Sequence, residues 1–331
     1  MSLVTPTDEA LARAAAVLLN GGLVAFPTET VYGLGADATN GKAVARIYEA
    51  KGRPSFNPLI VHVASIAAVE AFADMSERAY ALAQSFWPGP LTLILPLKAN
   101  SPISELCTAG LPTVAVRMPS HKVALSLLKA VNVPIAAPSA NASGRLSPTE
   151  AAHVLDSLGD KVDMVLAGGR AEKGLESTIC DVSGETPVIL RHGVITKEDL
   201  EAVLEEEVVF AENESDDPQS PKAPGMLLKH YAPSKPLRLN AVDVEEGEAL
   251  LGFGSLKFMG VRSGGAAATT IPREHIRNLS ETGDLYEAAA NLFAALHALD
   301  REDVTRIAVM NIPDQGVGIA INDRLKRAAH K

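Results

Sequence analysis

The sequence predicts an α/β protein of two domains, the larger built on a mixed sheet, and three observations carry that expectation. The chain has 331 residues, 47% of them hydrophobic, which exceeds the roughly 250–300 residues at which a single core usually stops growing. Short apolar runs alternate with stretches of helical periodicity, the pattern of an α/β layer. Between 205 and 224 this alternation breaks into EEE and then AENESDDPQSPKAP, too acidic and too rich in Ser and Pro to bury a core of its own.

The first element is a helix over 7–22, with Leu11, Ala14, Ala15, Leu18 and Leu19 on one face, Thr7 or Asp8 as N-cap and Gly21 or Gly22 at its end. Strands are expected at LVAFP (23–27), LIVHV (59–63), LTLILPL (91–97), TVAVR (113–117), IAA (135–137), MVLAG (164–168) and VILR (188–191). Helices are expected over 42–50, 77–86, 122–131, 150–158 and 197–204. Two strand pairs have no helix between them, so the sheet should be mixed rather than wholly parallel. The boundaries that follow are 1–206 for the first domain, 207–236 for a linker or lid and 237–331 for a smaller α/β domain. That last domain holds LLGFG (250–254), a helix over 284–299, the strand RIAVMNIP (306–313) and a helix over 319–329. Its glycines form no GxGxxG between strand and helix, which argues against a dinucleotide site there.

A formal net charge of −10 excludes a surface coated for nonspecific nucleic-acid binding and leaves room for a local basic cleft. Cys107 and Cys180 are far apart, with no CxxC, so neither a disulfide framework nor a zinc site is expected, and both thiols should be buried. No metal ligands are assigned. The N-terminus has no basic segment followed by an apolar core, and no run reaches the about 18 apolar residues that cross a bilayer. The expected location is the cytoplasm, with no membrane partner.

Chemistry concentrates in a few clusters. PTETVYGLG (27–35) places Thr28, Thr30 and Tyr32 where a strand ends, a position that α/β sheets use for ligands and that an ordinary turn would also explain. KGRPSFNPLIVH (51–62) has Gly52 ending a helix, which leaves Lys51 and Arg53 on a loop before Asn57 and His62. Two cations beside a glycine suit phosphate oxygens, or they merely complement a helix C-terminus. APSANASGRLSPT (137–149) offers Ser139, Asn141, Ser143 and Ser147, able to wrap an anion or only to cap the next helix. GLESTICDV (174–182) and Arg191 complete the set. No GxSxG or HExxH occurs, which favours a reaction run by positioning and charge stabilisation.

Taken in order, PTETVYGLG, KGRP with NPLIVH, WPGPLT (87–92), TVAVRMP (113–119), APSANASG, STICD and the RHG after VIL resemble the threonylcarbamoyl-adenylate synthase family, whose catalytic domain has the YrdC-like fold. PGMLLKHYAPSKPL (224–237) is similar to the connection in its longer members, whose second domain is Rossmann-like. The resemblance implies a mixed twisted sheet with helices around a concave, basic cavity. It implies condensation of L-threonine, bicarbonate and ATP, with Mg²⁺ arriving on the nucleotide, and a product passed to a tRNA threonylcarbamoyl transferase complex, with tRNA itself a further candidate partner. It places threonine near Thr30, His62, Arg117, Ala137 and Ser177. ATP falls near Lys51, Arg53, Asn57, Thr113, Ser139, Asn141, Ser147 and Arg191, with Tyr231 closing over it and Lys51 and Arg53 acting in catalysis. Two other readings remain open here: a module binding double-stranded RNA or tRNA, and a carbamoyl-transfer enzyme of hydrogenase maturation.

Overall fold

The computed structural model describes residues 2–211, 230–256, 260–262 and 271–330. The chain forms two compact units. The first comprises Met1–Ser143, Ser147–Glu172 and Glu176–Leu227; the second takes Leu228–Lys331 together with the short pieces Gly144–Leu146 and Lys173–Leu175.

In the first unit the chain runs β1 (Ser2–Val4), α1 (Asp8–Leu19), β2 (Val24–Phe26), β3 (Gly33–Asp37), α2 (Gly41–Lys51), β4 (Ile60–His62), α3 (Ile66–Glu70), α4 (Glu77–Phe86) and β5 (Leu91–Pro96). It continues through α5 (Glu105–Thr108), β6 (Thr113–Arg117), α6 (Lys122–Val131), β7 (Ile135–Ala136), α7 (Ala151–Leu158), β8 (Met164–Leu166), β9 (Thr178–Asp181), β10 (Val188–Arg191), α8 (Lys197–Leu204) and β11 (Val209–Phe210). The strands form one mixed sheet in the order β1-β8-β2-β3-β7-β4-β6-β5-β9-β10-β11.

Period-two alternation sorts each strand between two cores. Leu23 and Ala25 join the large core with Val61, Val116 and Leu93, while Val24 and Phe26 face α1 and α6. The first helix is capped by the Thr7 side chain and ends at Asn20, one residue before the expected glycines. β3 was not among the expected strands: Gly33 and Gly35 hide it from a search for β-branched runs. They are needed there because a Cβ on Gly35 would lie 2.8 Å from the Phe26 ring and 3.1 Å from Ile135. Both cysteines are buried, with thiol pKa values pushed up to about 12 chiefly by burial.

The second unit contains β12 (Leu237–Arg238), β13 (Asp243–Glu245), β14 (Glu248–Gly252), β15 (Gly260–Arg262), β16 (Ile276–Asn278), α9 (Leu285–Leu299), β17 (Arg306–Val309) and α10 (Val317–Ala329). β12-β17-β14-β16 is an all-parallel sheet, as a Rossmann-like layer requires. The strand expected over 306–313 stops at Val309, before Asn311 and Pro313. Buried Glu248 is clamped by Arg238 at 2.5 Å and Arg306 at 2.7 Å. Among the described residues no helix is long and apolar enough to cross a membrane.

Gly35→Ala should lower unfolding stability by about 1–3 kcal/mol through overpacking against Phe26 and Ile135. A urea titration with an unchanged midpoint would refute this account of β3.

Candidate active site

One face of the central strands carries most of the chemistry. On β4, β6, β5 and β9 the residues Ile60, Ala115, Ile94 and Ile179 form a small apolar cluster. Two residues further along the same face of β4 and β6 come His62 and Arg117, and two residues back on the face of β5, and just before β9, come Thr92 and Ser177. His62 is paired with Arg117 across β4 and β6. The backbone N–H of Ala137 donates to Ile60 at 2.9 Å, setting the next chain beside them. Four residues expected at the threonine site, His62, Arg117, Ala137 and Ser177, thus share one sheet face, and all are buried.

Thr30 joins them from the turn between β2 and β3. The Arg117 guanidinium donates through Nε to the Gly89 carbonyl at 3.2 Å, through Nη1 to Thr30 Oγ1 at 2.9 Å and through Nη2 to Glu29 Oε1 at 2.6 Å. A guanidinium has five N–H groups. Among the described residues two therefore remain without a partner, one on each terminal nitrogen, both able to donate to a carboxylate. The Thr28 hydroxyl donates to the Val31 carbonyl at 2.6 Å, so in the 2.9 Å contact between the two threonine hydroxyls Thr30 is the donor. Thr30 Oγ1 consequently offers its last site as an acceptor.

His62 is held neutral. Burial and then the charge of Arg117 lower its pKa to about 3, and Nδ1 lies 3.2 Å from the Ile60 carbonyl. A neutral ring donating from Nδ1 keeps Nε2 as an acceptor. Ser177 hydrogen-bonds Thr92 at 2.7 Å and accepts from Arg191 at 3.0 Å, which fixes Arg191 on β10 against the same edge.

The second cluster gathers cations. Lys51 is the last residue of α2, not part of a loop as expected, because Gly52 rather than Lys51 takes the left-handed cap at φ 61°. Its ammonium is buried and donates to the carbonyls of Ser139 and Asn141, both at 2.5 Å. Burial, then repulsion from Arg53, pushes its pKa well below the usual lysine range. Arg53 does lie on the following loop but is also buried, donating to Asn57 at 3.3 Å and Pro58 at 3.0 Å. The Asn57 side chain is fully buried, and neither its amide oxygen nor its amide nitrogen has a partner among the described residues. Leaving such a group unpaired costs about 1–3 kcal/mol, which a bound ligand would recover. Ser147 donates to the buried carboxylate of Glu176. Thr113 shares the face of Ala115 and Arg117 at the far end of β6.

The structure gathers Thr30, His62, Arg117, Ala137, Ser177 and Arg191 in one cluster and Lys51, Arg53, Asn57, Ser139 and Asn141 in another, and it adds three residues that the motifs did not single out: Glu29, Thr92 and Glu176. Glu29 had a signal, being the only charged residue between Asn20 and Asp37. A lone carboxylate in an apolar stretch implies a buried cation partner. Tyr231 lies in the second unit, with φ 62°, packed 5.7 Å from the Phe293 ring and 5.1 Å from the Arg324 guanidinium. Most of the expected linker or lid, 212–229, lies outside the described residues.

Residues 16–193 match the family model of Sua5, YciO and YrdC, described as telomere recombination, and residues 195–330 match the one described as threonylcarbamoyl-AMP synthase, C-terminal domain. The chain is 43% identical to threonylcarbamoyl-AMP synthase of Bacillus subtilis, with 98% of this chain and 94% of the relative aligned. It is 42% identical to that of Pyrococcus abyssi, over 96% and 93%. It is similar to the crystal structure of P. abyssi Sua5 complexed with L-threonine, with TM-score 0.87 and 37% identity over 99% of this chain and 98% of that one. Fold, site and similarity together define a two-unit α/β enzyme of nucleotidyl transfer. The chain belongs to the threonylcarbamoyl-AMP synthase family.

Because the folded state holds His62 neutral, the unfolded chain binds the extra proton between the ordinary pKa of 6.5 and about 3. This contribution is complete above pH 6.5 and declines as the pH falls through that window. In His62→Asn, which cannot titrate, unfolding stability should fall less steeply from pH 6.5 to 4. Parallel wild-type and variant curves in urea would show that His62 is not buried as a neutral ring.

Proposed function

We propose that the chain condenses L-threonine, bicarbonate and ATP into threonylcarbamoyl-AMP, releasing diphosphate and water. The observation that carries this reading is the presence of two unlike polar clusters in the first unit. One has a free guanidinium fork beside neutral acceptors. The other has two buried cations beside an unpaired amide.

In this reading the threonine carboxylate takes the two open N–H groups of Arg117. Its hydroxyl and amine meet the acceptors Thr30 Oγ1 and His62 Nε2, with Ser177 and Ala137 closing the pocket. The amine attacks bicarbonate carbon, water leaves, and a carbamate forms. A carbamate oxygen then attacks the α-phosphorus of ATP as the bond to the β-phosphate oxygen breaks. Charge stays on oxygen throughout, so the chain's task is countercharge and alignment. Lys51, Arg53 and Arg191 supply charge, and Asn57, Thr113, Ser139, Asn141 and Ser147 supply hydrogen bonds to the nucleotide. Each well-placed donor is worth roughly 2.7–4 kcal/mol of barrier if oxyanion-hole variants are a guide. Mg²⁺ enters as part of the ATP substrate. Tyr231, within 207–236, is assigned to closing over the nucleotide, and the product to a cytoplasmic tRNA threonylcarbamoyl transferase complex, with tRNA as a further partner.

Mass spectrometry of protein, MgATP, threonine and bicarbonate should show threonylcarbamoyl-AMP, and omission of any one substrate should abolish it. Product without threonine would sink the reading. Lys51→Met and Arg53→Ala should each slow diphosphate release about 10- to 100-fold, the loss of a charge-assisted bond of roughly 1.5–3 kcal/mol, with far-UV circular dichroism unchanged. Wild-type rates in both would misplace the nucleotide.

A further inference from the structure

The threonine end of the site contains a carboxylate for which the reaction assigns no task. Glu29 is buried to 2% exposure against Arg117 at 4%, and its two oxygens are held from different directions. Oε1 accepts from Arg117 at 2.6 Å and Oε2 from the backbone N–H of Ser120 at 3.1 Å. A carboxylate has about four acceptor sites, so each oxygen keeps capacity beyond these bonds.

The charges in direct contact at Arg117 balance, the other cation at this end being Arg191, which is bonded to Ser177. Arg117 contributes one positive charge, Glu29 one negative charge, and His62 none. A buried guanidinium without a counterion is a strong trap for any small anion, bicarbonate included, because low-dielectric surroundings penalise an unpaired charge. A guanidinium already paired with a carboxylate loses that general appetite. What still matches the pair is a ligand that carries both signs, its carboxylate on the fork of Arg117 and its ammonium in the negative field of Glu29. Selectivity of this kind works by rejecting the wrong partner as much as by holding the right one.

We propose that Glu29 is the residue that makes this site select a zwitterionic amino acid over a simple carboxylate, by orienting Arg117 and cancelling its charge. The proposal rests on the reading of the threonine site given above. It makes Glu29 a positioning and specificity residue, distinct from the groups that stabilise the nucleotide.

The test is calorimetric binding to the full chain with three ligands that differ in which charged groups they carry. These are L-threonine, its deaminated analogue 3-hydroxybutyrate, and L-threoninamide, in which the carboxylate is replaced by a neutral amide. Wild type should bind threonine about 10- to 100-fold more tightly than either analogue, the range set by loss of one charge-assisted bond. In Glu29→Gln the preference for threonine over 3-hydroxybutyrate should shrink by roughly tenfold or more, with 3-hydroxybutyrate holding its affinity or gaining. Glu29→Asp keeps the charge and should retain most of the preference. Equal weakening of both ligands in Glu29→Gln would reduce Glu29 to a structural latch and overturn the proposal. So would a Glu29→Asp preference as low as that of the Gln variant. If the Gln variant fails to fold, the wild-type arm still decides, since 3-hydroxybutyrate binding as tightly as threonine also overturns it. Arg117→Ala separates the two levels. Unchanged threonine binding there removes the site reading itself, whereas lost binding there with an unchanged preference in Glu29→Gln removes only the role of Glu29.

Discussion

A guanidinium buried in a sheet must have its charge answered, and the first unit is organised around doing so for Arg117 while leaving two of its N–H groups open. Its partners come from separate stretches of chain: Gly89 from the turn after α4, and Glu29 and Thr30 from the turn after β2. The arginine itself stands at the end of β6, beside His62 on β4. Moving any of these strands by one residue would turn its side chains to the opposite face, so the register that completes the core is also the register that assembles the site. Core packing and ligand recognition are therefore one constraint seen from the two sides of the same strands.

The two clusters follow opposite electrostatic rules. Around Arg117 the countercharge is built in, and the neighbouring histidine is kept neutral. Around Lys51 the partners are carbonyls, and the nearest charge that shifts it is another cation, Arg53. Carbonyl dipoles can hold an ammonium in place without neutralising it. Such a site keeps an unmet demand for anions, and the charge of a bound anion would raise the lysine pKa again. Burying Lys51 and Asn57 thus costs stability in the free protein, of the kind that functional sites commonly carry.

The larger outline of the fold was legible because it depends on local patterns. Apolar runs such as LTLILPL and the capped helix at 77–86 announce themselves by period and by turn residues. β3 was not legible, because its glycines are chosen for what surrounds them, the Phe26 ring and Ile135, and neither neighbour is close in sequence. The site shows the same division. Lys51, Arg53, Ser139 and Asn141 stand in dense clusters, and so could be found. That Lys51 bonds the carbonyls of Ser139 and Asn141 is a fact of chain crossing that no spacing of 88 or 90 residues reveals. Thr92 and Glu176 were missed for that reason, since a Thr in a strand and a Glu in a loop are ordinary until their partners are known.

The chain passes between its two units five times, and the sequence marks only the last of these crossings. Gly144–Leu146 belongs to the second unit, yet it is bounded on one side by the loop of Ser139 and Asn141 and on the other by Ser147. Lys173–Leu175, also of the second unit, runs directly into Glu176 and Ser177. Within the second unit these pieces are firmly seated. The Gly144 carbonyl accepts from Ala232 at 2.8 Å, and Gly174, at φ 64°, lies so close to α9 that a Cβ there would meet the Ala290 carbonyl at 2.3 Å. Both pieces are placed by partners distant in sequence, Ala232 for Gly144 and Ala290 for Gly174, which no local pattern announces.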